Sequence, residues 1–154
     1  MKTKILILFL LFSSLVNSQS LDDTIDWITR NSNGSEQVKY DVKTKKLLLI
    51  SVRKAGNRIS SLVKEINPND VNSISISSSN NWNSVVINFK KGGSYINSYI
   101  VSENINEKSN EGKIKMYGIE ISFEVDKIQI QKFKKAYINL LKEIGVKVID
   151  GDLF

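Results

Sequence analysis

The 154-residue chain contains no histidine and no cysteine. A histidine general base, a Cys/His nucleophile, a thiol redox pair, a Cys/His zinc site and a disulfide are therefore excluded on composition. What remains for chemistry is carboxylates, lysines, hydroxyls and aromatic rings. Asp22, Asp23 and Asp26 can in principle combine with Glu36 or Asp126, and paired carboxylates hydrolyse glycosides without help from histidine. The same aspartates also suit the start of a helix, where exposed amides favour negative charge. Asp150-Gly151-Asp152 is the one hard-cation motif; it is far shorter than a calcium loop and lacks the distal bidentate glutamate. The sequence thus assigns no catalytic residue, no metal and no cofactor.

The chain does carry residues suited to binding. Lys43, Lys45 and Lys46, followed by Arg53, surround an expected hairpin. Trp82 sits in a polar segment, residues 77–84 (SSSNNWNS). It is either an exposed recognition residue or an end cap folded under a helix. Tyr95 and Tyr99 lie on an expected strand. These six residues (the three lysines, Trp82 and the two tyrosines) form the expected partner surface, with a protein or a glycan as partner. Lys127, Lys132, Lys134, Lys135 and Lys142 fall off the apolar stripe of the last helix and are expected on its wet side. With three arginines in the chain, nucleic acid is not an expected partner. Asn33-Gly34-Ser35 also fits the glycan-acceptor pattern.

The elements that must position these residues begin after an address label. Lys2 and Lys4 precede the apolar run 5–12 (ILILFLLF), and small residues follow at Val16-Asn17-Ser18. That is the layout of a secretory signal peptide, expected over residues 1–18. The apolar run is well short of the ~20 residues a spanning helix needs. Cleavage takes the net charge from +6 to +4 by removing two lysines. The expected product, residues 19–154, is a single exported domain, periplasmic or extracellular, with no membrane span. Its oligomeric state is not legible.

Ser20 and Asp23 predict a capped helix with Leu21, Ile25 and Ile28 on one stripe and Trp27 beside it. From residue 37 the period becomes two. Val38, Tyr40 and Val42 alternate, residues 47–52 form a dense apolar strand, and residues 58–63 a third. Residues 66–70 (INPND) predict a turn or single helical turn. Ile74 and Ile76, then Val85, Ile87 and Phe89, predict two more strands. Lys90-Lys91-Gly92-Gly93-Ser94 predicts a tight hairpin, because adjacent glycines both tolerate positive φ. Residues 95–101 are the expected return strand, and residues 102–112 a mobile polar loop. Ile114 and Met116 are out of phase with Ile119, Ile121, Phe123 and Val125, which predicts a bulge at Gly118. Asp126 with Gln129 predicts a capping box for a helix whose stripe is Ile130, Phe133, Tyr137, Leu140 and Ile144, widened by Ala136 and Leu141. Gly145 stands at its expected left-handed cap, and residues 146–154 form a short tail.

The fold class implied is α+β: six to seven mostly antiparallel strands curled into a partly open barrel, a short N-terminal helix, and a long amphipathic C-terminal helix closing the open end. A lipocalin-like barrel and a flatter α+β sheet are the alternatives. The strand Ile119-Glu120-Ile121-Ser122-Phe123 leading to Phe133-Lys134-Lys135-Ala136-Tyr137-Ile138-Asn139-Leu140-Leu141 resembles the end of pleckstrin-homology-like domains. The turn at residues 66–70 is similar to that of small bacterial members. In eukaryotic members, basic residues of the first hairpin grip inositol phosphates. Here Lys45 and Lys46 are followed by Leu47 and Leu48, which departs from that spaced basic arrangement.

The expected function is that of an exported, non-enzymatic binding or interaction domain. A lipocalin-like carrier of a small apolar ligand is one alternative, and a carboxylate-only hydrolase another. A carrier needs a hollow interior, and a hydrolase needs two acids converging in a cleft.

Overall fold

A computed structural model describes residues 20–56, 58–79, 82–102 and 108–152. The expected signal peptide lies outside these residues. The first helix, α1 (Leu21–Asn31), starts with the expected capping box: the Asp23 amide donates to Ser20 Oγ and the Ser20 amide to Asp23 Oδ2, both at 3.2 Å. In chain order β1 (Glu36–Asp41), β2 (Lys46–Ala55) and β3 (Arg58–Ile66) follow. A 3-10 turn at Pro68–Asp70 leads to β4 (Val71–Ser78), β5 (Asn83–Phe89) and β6 (Ser94–Ser102). Next come β7 (Lys108–Met116), β8 (Gly118–Phe123), α2 (Lys127–Glu143) and β9 (Ile149–Asp150).

The α+β class holds, with mostly antiparallel strands between a short N-terminal and a longer C-terminal helix. The strands divide into two sheets, ordered β1-β2-β3-β6-β7 and β8-β5-β4-β9. Among the described residues no ladder joins them, so the barrel is not closed. The short β9 pairs in parallel with β4.

The chain crosses between the sheets three times, after β3, after β5 and after β7, and these crossings correct two expectations. Gly92 and Gly93 do adopt positive φ, 107° and 73°, but residues 90–94 make no hairpin. They carry the chain from β5 to β6 in the other sheet. The phase change near Gly118 is likewise no bulge. It is the passage from β7 to β8, because a strand entering a second sheet resets which side chains face the core. Register slips lie elsewhere, between Val71 and Ser73 and between Ser98 and Ile100.

All three crossings meet at one end and are stitched together. The Lys90 amide donates to the Asp70 carbonyl at 2.8 Å and the Phe89 amide to the Tyr117 carbonyl at 3.0 Å. Ser94 Oγ donates to Asp70 Oδ2 at 2.6 Å. Three turns that would each be weak alone thereby satisfy one another's backbone groups.

Two further expectations are corrected. Residues 108–112, expected within a loop, belong to β7, because β6 supplies a ladder that a polar sequence accepts. Almost every β7 side chain is exposed, and its lysines blunt an edge strand that would otherwise invite pairing. Val42 ends up in the turn after β1, 72% exposed, because the Asp41 carboxylate accepts the Lys43 and Thr44 amides and folds the chain back there.

The closing helix is built largely as its stripe implies. Ile130, Phe133, Tyr137, Leu140 and Leu141 are fully buried, and Ile144 is half-buried at the C-cap. The Phe133 ring stacks on Phe123 at 4.1 Å and meets Trp27 edge-on at 5.2 Å, tying the helix to β8 and α1. Gly145, at φ +82°, ends it in a Schellman motif: its amide donates to the Lys142 carbonyl and that of Val146 to Leu141. Only half of the expected capping box forms. Asp126 accepts from the Gln129 amide at 2.7 Å, while the Gln129 side chain donates to Asn31 of α1.

One cluster of buried side chains draws on both helices and both sheets. A second joins Ile50, Val63 and Tyr99, with Leu48, Val52 and Val101 around them. This explains the unbroken apolar run of β2: alternate residues serve different clusters.

Candidate functional site

At the end of the molecule where α1 hands over to β1, one groove of about 500 Å³ opens. One wall comes from residues 31–36 and the end of β2, including Arg53; the other from Trp82, Ser122, Glu124 and Val125. The first wall is set by Ser32. Its hydroxyl donates to the Glu36 carbonyl at 2.7 Å and accepts the Glu36 amide at 3.2 Å, clamping the end of α1 onto the start of β1. Asn33 within that turn is exposed and left-handed, φ 52°, a conformation asparagine tolerates better than most residues.

The opposite wall is held by polar contacts around Trp82. Its carbonyl accepts the Ser79 amide at 2.9 Å. The neighbouring Asn83 side chain donates to the Val125 carbonyl at 2.7 Å, tying the start of β5 to the segment after β8. The Trp82 side chain itself is 46% exposed. That exposure excludes the end cap folded under a helix.

Glu36 is the unusual titratable group of the groove. It shares a phase with Val38, which is buried in the core, so its carboxyl is drawn off the surface. Burial pushes it up to about 7, against the opposing pull of the Ser51 hydroxyl, Lys64 and Arg53. Ser51 Oγ donates to Glu36 Oε2 at 2.9 Å. The charge of Glu36 in turn adds to burial in raising the Tyr137 hydroxyl well above its ordinary value. Glu36 and Glu124 therefore line one groove with Arg53 beside them. The aspartates of α1 are not among its lining residues.

The six sequence candidates do not converge. Trp82 lies in this groove. Lys46 and Tyr95 meet in a second, more open groove of about 430 Å³, with Glu65, Asp70, Asn97 and Lys113. Lys43 and Lys45 are exposed in the turn between β1 and β2. Tyr99 is buried in the second cluster, with Lys108 Nζ 4.1 Å above its ring. Burial, with hydrogen bonding to Glu65, pushes its hydroxyl up to about 12.

The expected wet-side position of Lys134 is corrected outright. It is 3% exposed and ion-pairs with Asp150 and Asp152. The Asp-Gly-Asp motif is thus occupied by the protein's own ammonium group. Among the described residues no cluster of three acids is arranged to hold a metal ion, and no helix is long and apolar enough to cross a membrane.

In the sequence Glu36 belongs only to a loose carboxylate group and nothing pairs it with Glu124. The sequence does carry a signal for Glu36, a charged residue on the apolar phase of a strand. Glu124 carries none, since it alternates outward like any surface residue. Comparison with family models, with curated proteins and with solved structures finds no match to this chain.

Proposed function

We propose that this chain is an exported, non-enzymatic binding domain whose ligand surface is the groove at Trp82. The observation that carries the reading is a half-exposed indole on the rim of a polar groove built from separate chain segments. Tryptophan is among the residue types enriched at the hot spots that anchor recognition. The filled interior supports binding at the surface over carriage of an apolar ligand inside: Phe123, Phe133, Tyr137 and Leu140 occupy the space beneath α2. A pleckstrin-homology-like frame belongs to the same proposal and rests on the closing helix set across curled sheets.

The test compares the protein with Trp82→Ala for retention of envelope glycans and proteins. Retention that depends on Trp82, with an unchanged circular dichroism spectrum, supports the reading. Equal retention by both proteins overturns it.

A carboxylate-only hydrolase is the second reading, favoured by the shared placement of Glu36 and Glu124 in the groove. Glycan turnover abolished by Glu36→Gln would establish it in place of the first.

A further inference from the structure

We infer that the Trp82 groove takes a neutral saccharide unit, with the ring laid against the indole and a pair of adjacent hydroxyls donating to the Glu36 carboxylate. The inference rests on the binding reading above and names its ligand class and its regulation.

Three features of the walls select this chemistry. The polar side chains are mixed: Arg53 and Asn33 supply donors, Glu36 and Glu124 acceptors. A sugar hydroxyl both gives and takes a hydrogen bond, so a ring carrying several matches a mixed wall better than a purely anionic or cationic ligand does. Apolar lining beyond Trp82 is limited to Val52 and Val125. That leaves a flat aromatic face without the deep apolar pocket that would anchor a peptide side chain. Finally, Arg53 and Glu124 offset one another, so the groove offers no net positive field to a polyanion.

Glu36 adds a dependence on pH. It faces Ser51 and Arg53 on β2, Lys64 on β3 and the Tyr137 hydroxyl on α2, with Glu124 among the lining residues of the same groove. Ser51 is its side-chain hydrogen-bond donor among the described residues. A vicinal diol brings two more donors to the ionised carboxylate, and hydrogen bonds to an ionised acceptor are the stronger kind. Saccharide binding therefore favours the ionised form of Glu36, and affinity rises as pH rises through the neutral range.

The probes are neutral tetrasaccharides (cellotetraose, xylotetraose, mannotetraose and tetra-N-acetylchitotetraose) and the anionic tetragalacturonate. They are titrated into the wild-type chain by calorimetry, with amide chemical shifts mapping the contact. The expected result is binding of at least one neutral probe, shifts centred on residues 31–36 and 82–84, and at least about tenfold weaker binding by Trp82→Ala. Affinity should rise between about pH 5.5 and about pH 8.5, by about tenfold for each unit by which the complex lowers the pKa of Glu36. Glu36→Gln should be weaker at high pH and flat across the range. Preference for tetragalacturonate, failure of every neutral probe at millimolar concentration, or the same pH profile in Glu36→Gln overturns the inference. A Trp82-dependent protein ligand found in the retention experiment would sink the saccharide assignment and leave the binding reading standing. Indifference to Trp82 in both experiments sinks the two together.

Discussion

Lys134 Nζ lies 2.6 Å from the Asp152 carboxylate, and this ion pair fastens the C-terminal segment to the closing helix. Asp150 pairs with the same ammonium. Asp152 Oδ1 also accepts the Ile76 amide at 3.0 Å, and the Gly151 amide donates to the Ile74 carbonyl at 2.8 Å. The clasp therefore joins α2, β4 and β9 in one polar cluster.

Its two sides should respond differently to mutation. Replacing both acids (Asp150→Asn with Asp152→Asn) leaves a buried ammonium without its counter-charges and should cost about 3 kcal/mol. Lys134→Met removes the buried charge, and the two acids, each about a third exposed, return to water. That change should cost no more than about 1 kcal/mol. Urea denaturation of the variants checks the order, and equal losses would refute it.

The clasp also sets a pH window. The hydrogen bond from Lys134 holds the Asp150 carboxyl below its ordinary 3.8, so its contribution is present above that value and lost as pH falls further. Burial alone would lower Lys134, but hydrogen bonds to Asp150 and Asp152 outweigh it and hold the ammonium above 10.5. Its contribution is full below 10.5 and is lost as pH rises beyond. Methyl resonances of Ile149 should keep their native shifts between these limits and move outside them.

Glu36 has the opposite consequence from Asp150. Its carboxyl is raised from 4.5 to about 7 by burial, so the fold prefers it neutral. Stability from this group is full below 4.5 and declines as pH rises through 7. Allowing for its partial exposure, Glu36→Gln should gain about 1–2 kcal/mol at pH 8 and almost nothing at pH 4. Thermal melts at the two pH values test this; an equal effect at both would contradict it.

Gly93 is the glycine the fold needs most. It combines φ +73° with a close approach in which an added Cβ would sit 2.6 Å from the Met116 carbonyl oxygen. The clash is with backbone, so no rotamer relieves it. Gly93→Ala should cost more than about 1 kcal/mol. Gly92→Ala, with φ +107° but open space around it, should cost less. Chemical denaturation of the two variants ranks them.

Thr24 offers a stabilising change. Its residue is 2% exposed, and its hydroxyl has no hydrogen-bond partner among the described residues. Thr24→Val removes an unsatisfied polar group at nearly constant shape and should raise stability by about 1 kcal/mol. A lower melting temperature in the variant would show that the hydroxyl is satisfied in solution.

Local backbone chemistry was legible in the residues themselves. The Ser20 cap, the turn at Pro68, the positive φ of Gly92 and Gly93 and the Gly145 stop each depend on a few neighbouring atoms, and the sequence alone determined them. The apolar stripe of α2 and most strand phases followed from periodicity, Val42 being drawn out of phase by the turn at Asp41. Pairing was not legible. A period of two says which side chains share a face, but not which of two sheets that face belongs to, so the crossings at residues 90–93 and at Tyr117 resembled a hairpin and a bulge. The environments of Lys134 and Glu36 were decided at the same level. A lysine off the stripe is solvated unless a distant segment returns to cover it, and only the docking of β9 beside β4 brings Asp150 and Asp152 there. The groove, likewise, exists only where segments far apart in the chain are brought together by tertiary packing.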